Sequence, residues 1–108
     1  MNIKEMIPAA HLAADLMRSL SHPQRLLVLC ALVDGEKSVA DLRHSLKIDQ
    51  VPLSQHLMRL RGDGLVKARR DGTAVYYEIV RPEVQTVVEA LHAAFCAPDG
   101  APTTDQTR

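Results

Sequence analysis

The sequence predicts one mainly helical domain that carries a single β-hairpin. Apolar residues recur at helical spacing in five segments, four before the hairpin and one after it. Two short runs rich in Val and Tyr, 65–70 and 73–80, meet at Asp71-Gly72, a pair that favours a two-residue hairpin turn. A chain of 108 residues with 46% apolar content is long enough for one small core. The order α-α-α-α-β-β-α is that of a winged helix-turn-helix.

The first two helices are predicted from apolar periodicity and Pro placement. Residues 6–20 form an amphipathic stripe, with Pro8 tolerated in the first turn. Ser21 is the expected N-cap of the second helix, and Pro23 stands just inside it. The stripe of the second helix places Cys30 on the side that faces inward; its members are Leu26, Leu29, Cys30 and Val33.

The next two helices, residues 38–61, form the predicted helix-turn-helix. Ser38 and Asp41 have the spacing of a capping box, which opens a short helix that carries Val39, Leu42 and Leu46. Residues 47–50 turn into a second, reading helix. The core-facing residues of the reading helix are predicted to be Leu53, Leu57, Met58 and Leu60, and the methionines in general are expected to fill the core.

The other faces of the reading helix carry polar side chains that can hydrogen-bond to base edges and phosphates in a DNA major groove. The chain has a formal net charge of zero, yet residues 50–81 hold six Lys/Arg against three Asp/Glu, whereas 82–108 hold one against four. The basic excess therefore falls on the reading helix and the hairpin, where DNA binding would use it. The predicted DNA contacts are Gln50, Ser54, Gln55, His56, Arg59, Arg69, Arg70 and Thr73.

A last helix begins near Pro82 and has its own apolar stripe. We predict that this stripe is the seam of a homodimer, although the helix could instead fold back on its own domain. The stripe consists of Val84, Val87, Val88, Leu91 and Phe95. Residues 1–96 are thus expected to form the DNA-binding and dimerisation domain, and residues 97–108, which lack periodicity, a disordered tail.

Other features of the sequence limit the class of protein to which it can belong. No secretory leader or apolar run of membrane-spanning length is present, so we expect a cytoplasmic protein. Two cysteines in a reducing compartment are either buried spectators or reversible redox groups. No nucleophile accompanied by a base and an orienting group is recognisable, and no set of ligands for an open metal site, so neither an enzyme nor a cofactor is predicted.

Several motifs, in order, resemble the ArsR/SmtB family of transcriptional repressors over about residues 12–96. They are Ser21-His22-Pro23, Gly35-Glu36, Val39-Ala40-Asp41-Leu42, Ser54-Gln55-His56-Leu57, Leu60-Arg61, Gly64-Leu65-Val66 and Tyr76-Tyr77. The resemblance implies a homodimeric winged helix that binds palindromic operator DNA and releases it when an inducer binds. By the same resemblance, Ser54, Gln55 and His56 would read bases, while Arg69 and Arg70 would hold phosphate or the minor groove.

Within that family, the metal-sensing patterns are incomplete. Ser38 and Ala40 stand where the thiolate ligands of arsenic and cadmium/lead sensors would lie, and the last helix has a partial zinc set. Cys30 and Cys96 instead resemble the dithiol pair of the persulfide-responsive, BigR/SqrR-type branch. This resemblance implies a repressor that leaves DNA when reactive sulfur species oxidise the pair, and that controls sulfide oxidation or detoxification genes. A metal-responsive repressor, or one that senses thiol oxidants in general, remains the alternative.

Overall fold

The computed structural model describes residues 1–96; the predicted disordered tail, residues 97–108, lies outside the described residues. Within these described residues, six helices and three strands follow one another. They are α1 (Ile3–Met6), α2 (Ala10–Leu20), α3 (Pro23–Leu32), β1 (Lys37–Ser38), α4 (Val39–Leu46), α5 (Gln50–Gly62), β2 (Val66–Asp71), β3 (Ala74–Ile79) and α6 (Pro82–Phe95). The predicted winged helix-turn-helix is confirmed, with α4 and α5 as its two helices and β2–β3 as the wing.

Local chemistry accounts for the first helix boundaries, and it corrects two predictions. The expected single helix over 6–20 is divided into α1 and α2, because Pro8 has no N–H to donate and its ring crowds the preceding turn. The cap of α3 is His22 and not Ser21: the His22 Nδ1 accepts a hydrogen bond from the Gln24 N–H at 3.0 Å, and Pro23 occupies the first helical position.

The wing is part of a three-stranded antiparallel sheet of order β1-β3-β2, and the short strand β1 was not predicted. Asp71 still pairs with Ala74, so the two-residue loop is Gly72-Thr73 and the predicted Asp71-Gly72 turn is wrong by one residue. Gly72 has φ of +63° whereas Thr73 does not enter the positive region. Glycine in the first central position is what a type II′ hairpin turn requires.

A leucine-rich core holds these elements together. Leu53, Leu57 and Leu60 of α5 are buried as predicted, together with residues of the other helices and of the wing. The other members are Leu16, Leu20, Val28, Leu29, Leu32, Leu42, Ile48, Leu65, Val66, Tyr77, Val84 and Val88. The prediction that the methionines fill this core is wrong, because Met1, Met6, Met17 and Met58 are all exposed.

The last helix differs from the predicted dimer seam. Val84 and Val88 are 0% and 1% exposed within the single chain, where they belong to the core. They therefore have no surface to offer a second copy, and their assignment to a seam was incorrect. Val87 and Leu91 are half-buried against the same core, and Phe95 is 56% exposed. The helix folds back on its domain through one side and leaves the Phe95 end open.

Candidate nucleic-acid interface and cysteine pair

The reading helix α5 is anchored by one face and open on the others. Leu53, Leu57 and Leu60 are no more than 2% exposed, and their spacing of four and three residues defines the anchored face. Gln50 and Gln55 are exposed and Ser54 is half-buried. The helix thus presents amide and hydroxyl groups, which can pair with base edges, on a rigid support.

A cleft of about 700 Å³ separates α5 from the wing. Gln50, Ser54 and Arg61 line it from α5, while Arg70 and Thr73 line it from the wing. The structure therefore brings together four of the predicted DNA contacts, Gln50, Ser54, Arg70 and Thr73. α5 and the wing therefore face each other across the cleft with polar and cationic side chains. Such side chains suit the base edges of a DNA groove and the phosphates along its border.

Two of the cations in and beside this cleft belong to α4 and its C-terminal turn and were missed by the sequence analysis. Arg43 lines the cleft, and Arg43, His44 and Lys47 together line a second depression of about 420 Å³ next to the turn into α5. No ion pair holds Arg43, Lys47, Arg61 or Arg70 in residues 1–96, so these charges are available to an anion. The helix-turn-helix motif could have predicted these cations, because cations that contact the DNA backbone commonly flank the reading helix.

Arg69, a predicted phosphate contact, is engaged inside the protein. Its Nε and Nη2 donate to the two Glu36 carboxylate oxygens at 2.9 and 2.8 Å, and its guanidinium lies 4.7 Å from the centre of the Tyr76 ring. These contacts raise the pKa of Arg69 above its ordinary value and lower that of Glu36. Arg69 would have to exchange this bidentate contact with Glu36 for a phosphate before it could bind DNA, so its predicted role stays a prediction.

Arg59, another predicted DNA contact, is also paired with a carboxylate of its own chain. Its Nε donates to the Asp63 Oδ2 at 2.9 Å, one turn along α5. The same Oδ2 accepts the hydroxyl of the buried Ser19 of α2 at 2.6 Å, and the Ser19 carbonyl accepts from Arg25 of α3. This polar cluster joins the C-terminal end of the reading helix to α2 and α3, on the side of α5 that faces away from the cleft.

Asp63 makes this cluster sensitive to pH. Partial burial acts to raise the pKa of the Asp63 carboxyl, but the hydrogen bonds from Ser19 and Arg59 and the nearby positive charges outweigh it, and the pKa lies below its usual value. A depressed carboxyl pKa stabilises the folded state above the unfolded value of about 4, and this stabilisation is lost as pH falls through the folded pKa.

We therefore expect Asp63→Asn to reduce the free energy of unfolding by about 1 kcal/mol at pH 7, a modest figure because the carboxylate is partly exposed to solvent. The difference between variant and wild type should shrink as pH drops below about 4. Urea unfolding followed by circular dichroism at several pH values measures it. A difference that stays constant with pH would show that the charge of Asp63 contributes nothing.

His56, a predicted base contact, packs against the start of α3. Its Nε2 lies 3.0 Å from the Gln24 Oε1, and its ring centre is 4.4 Å from that of His22. Partial burial lowers the pKa of His56, and the neighbouring His22 and Arg25 lower it further. The imidazole is therefore neutral at pH 7 and occupied by a protein partner, which leaves Ser54 and Gln55 as the motif residues open to bases.

The two cysteines lie on α3 and at the end of α6. Both are half-buried free thiols, and the Cys96 N–H bonds to the His92 carbonyl at 3.0 Å. Partial burial raises the pKa of Cys30, and the proximity of Cys96 raises it further. Cys30 packs against the core and lines a cavity of about 360 Å³ with Val88 and His92 of α6. The fold thus places the last two turns of α6, which lead to Cys96, beside Cys30 of α3.

Residues 1–96 also show two features that concern other types of site. No group of three or more His, Cys, Asp or Glu side chains in this part of the chain is arranged to hold a metal ion. None of its helices reaches the length and hydrophobicity that crossing a membrane requires.

Comparisons with known proteins agree with this geometry. Residues 22–68 match the model of the family described as bacterial regulatory protein, arsR family. The chain is 40% identical to the transcriptional activator HlyU of Vibrio cholerae over 89% of each chain. It is 39% identical to the biofilm growth-associated repressor of Xylella fastidiosa, over 90% of this chain and 85% of that one. The crystal structure of the transcriptional repressor BigR from Xylella fastidiosa superposes with a TM-score of 0.87, at 39% identity, covering 90% of this chain and 99% of that one.

Proposed function

The chain belongs to the ArsR family of bacterial regulatory proteins, and from that premise we propose that it is a homodimeric repressor whose operator binding is released by reactive sulfur species. The observation that carries the DNA part is the basic cleft between α5 and the wing, lined by Arg43, Arg61 and Arg70. The switch is supported by placement: Cys30 of α3 lines a cavity with Val88 and His92 of α6, and Cys96 ends α6 one turn after His92.

A homodimer is supported by symmetry and by exposed apolar surface. One subunit presents one reading helix, and two-fold symmetry supplies two for a palindromic operator with half-sites about one helical turn apart. Large apolar side chains with area left for a partner occur at the N-terminal helices and at the end of α6. They include Ile3, Ile7 and Leu12, which are 63–68% exposed, and Phe95. We therefore assign the dimer seam to these residues, together with the exposed sides of Val87 and Leu91.

The chemistry of release begins with a thiolate that attacks the outer sulfur of an organic persulfide. One cysteine becomes a cysteine persulfide, and the organic thiol leaves. The other cysteine then attacks the inner sulfur of that persulfide and expels hydrogen sulfide. In balance, two cysteine thiols and one persulfide RSSH give one disulfide, RSH and H₂S: the cysteines are oxidised and the sulfane sulfur is reduced.

A longer bridge forms if both cysteines are first converted to persulfides. Attack of one on the other expels H₂S and leaves a trisulfide, so two thiols and two RSSH give the trisulfide, two RSH and H₂S. Direct disulfides require Cα atoms within about 7 Å, while packed helices stand roughly 8–10 Å apart. An inserted sulfur spans that difference, and we propose that this favours persulfides over peroxide as the inducer.

A bridge between α3 and α6 reaches the reading helix by direct packing. α3 contacts both α5 and α6, and the Ser19–Asp63 cluster ties α5 to α2. Moving α6 against α3 would therefore change the spacing of the two reading helices in the dimer. A coupling of the usual size for allosteric sites corresponds to a loss of DNA affinity of about 5- to 150-fold.

The test measures affinity for a selected operator duplex with reduced protein, and then after organic persulfide, peroxide or zinc. We expect release by persulfide in this affinity range, recovery with dithiothreitol, and mass spectra in which the Cys30 and Cys96 peptides are joined. Cys30→Ser and Cys96→Ser should each stay on DNA at every persulfide dose.

Three outcomes count against this mechanism. A single cysteine variant that still releases normally excludes the dithiol switch. Release by zinc and not by persulfide identifies a metal-responsive regulator. Release by peroxide as efficient as release by persulfide identifies a general thiol-oxidant sensor. It also shows that the length of the sulfur bridge does not select persulfide over peroxide.

A further inference from the structure

One ridge of the reading helix carries two apolar side chains although it faces solvent. Val51, Gln55 and Met58 follow one another at intervals of four and three residues, so they share the face opposite Leu53, Leu57 and Leu60. Val51 is 66% exposed and Met58 is 70% exposed. The folded subunit makes almost no use of these two side chains.

Single exposed apolar residues are ordinary on protein surfaces. Whether this ridge has a binding role therefore depends on the residues around it. Arg61 and Arg70 line the cleft beside it, and Gln55 projects from its middle. A partner that meets this surface must therefore combine anionic groups, amide-pairing groups and apolar groups at close range. The major groove of DNA has all three, because the thymine C5-methyl is its apolar feature and adenine presents N6 and N7 to an amide.

We propose that Val51 is a specificity-determining residue that packs on the C5-methyl of a thymine in each operator half-site, beside the base pair contacted by Gln55. This inference rests on the proposed function and adds the chemistry of the sequence that is read. Val51 is preferred to Met58 because the N-terminal residues of a reading helix contact base edges. Met58 lies seven residues further on, about 10 Å along the helix axis.

The test starts from duplexes selected out of a random pool by the full chain. Each thymine of the selected half-site is then replaced by deoxyuridine, which removes the C5-methyl and changes nothing else. For wild type, we expect one such position per half-site at which affinity falls about fourfold, the ratio that corresponds to one buried methyl group.

Two variants assign that methyl to a side chain. Val51→Ala should bind the thymine and deoxyuridine duplexes equally well at this position, while keeping the thermal stability of the wild type, because the side chain is exposed. Met58→Ala is the matched control, with similar exposure on the same ridge, and it should keep the fourfold preference for thymine.

The outcomes separate the inference from the function beneath it. If no duplex is enriched, sequence-specific DNA binding itself is excluded, and the inference falls with it. If a duplex is enriched but deoxyuridine has no effect at any position, or the preference survives in Val51→Ala, the inference alone is wrong. A Val51→Ala protein that keeps the preference and changes its sedimentation would identify the ridge as a protein contact.

Discussion

Val88→Asp should unfold the subunit and not merely separate a dimer. Val88 is 1% exposed within a single chain, so an aspartate there would place a carboxylate among apolar neighbours with no partner. Burial of an unpaired charge costs at least about 4 kcal/mol, even when the group takes up a proton to avoid it. Domains of this size have a free energy of unfolding of about 5–15 kcal/mol, so the loss takes from about a quarter of it to most of it, and the melting temperature should fall steeply. Circular dichroism and a thermal melt measure the result.

Phe95→Asp is the matched control on the same helix. Phe95 is 56% exposed, so the same new charge remains hydrated and the subunit should keep its fold. If the open end of α6 belongs to the dimer seam, this variant should sediment as a folded monomer at concentrations where wild type is dimeric. A Val88→Asp protein that melts like wild type but sediments as a monomer would restore Val88 to the seam.

Removing Arg43, Arg61 or Arg70 should weaken binding to every duplex, whatever its sequence. Each arginine replaced by alanine removes two cations from the proposed dimer. If each cation neutralises one phosphate, the slope of log affinity against log salt should fall by about 1.8. At about 0.1 M salt, that slope corresponds to a loss of roughly 10- to 100-fold. Salt titrations on one selected and one random duplex give both quantities.

Arg59→Ala and Arg69→Ala are the matched controls, because their guanidinium groups are held by Asp63 and Glu36. Both variants should leave the salt slope close to that of wild type. If Arg69→Ala flattens the slope as much as Arg70→Ala, then Arg69 exchanges Glu36 for phosphate when DNA binds, and its original prediction from the sequence would be correct.

Much of the fold could be predicted because its signals are local. The periodicity of Leu53, Leu57 and Leu60, the capping box at Ser38 and the turn residues around Gly72 each act over a few residues of the chain. Such signals placed α4, α5, α6 and the two strands of the wing, whereas they missed the break at Pro8 between α1 and α2 and the short strand β1. They do not determine which two residues form a hairpin loop when neighbouring pairs are both suitable. The loop was predicted at Asp71-Gly72 and lies at Gly72-Thr73.

The sequence by itself determined the helix-turn-helix, the wing, the buried leucines of the reading helix and the types of side chain available for DNA and for thiol chemistry. The tertiary structure decided which of those side chains are free. Arg69 is occupied by a carboxylate 33 positions away, and His56 by an amide 32 positions away. Helical periodicity gave Val88 and Phe95 the same predicted role, yet the docking of α6 buries one and exposes the other. Charge pairing and burial depend on distance in space, which local sequence patterns do not contain.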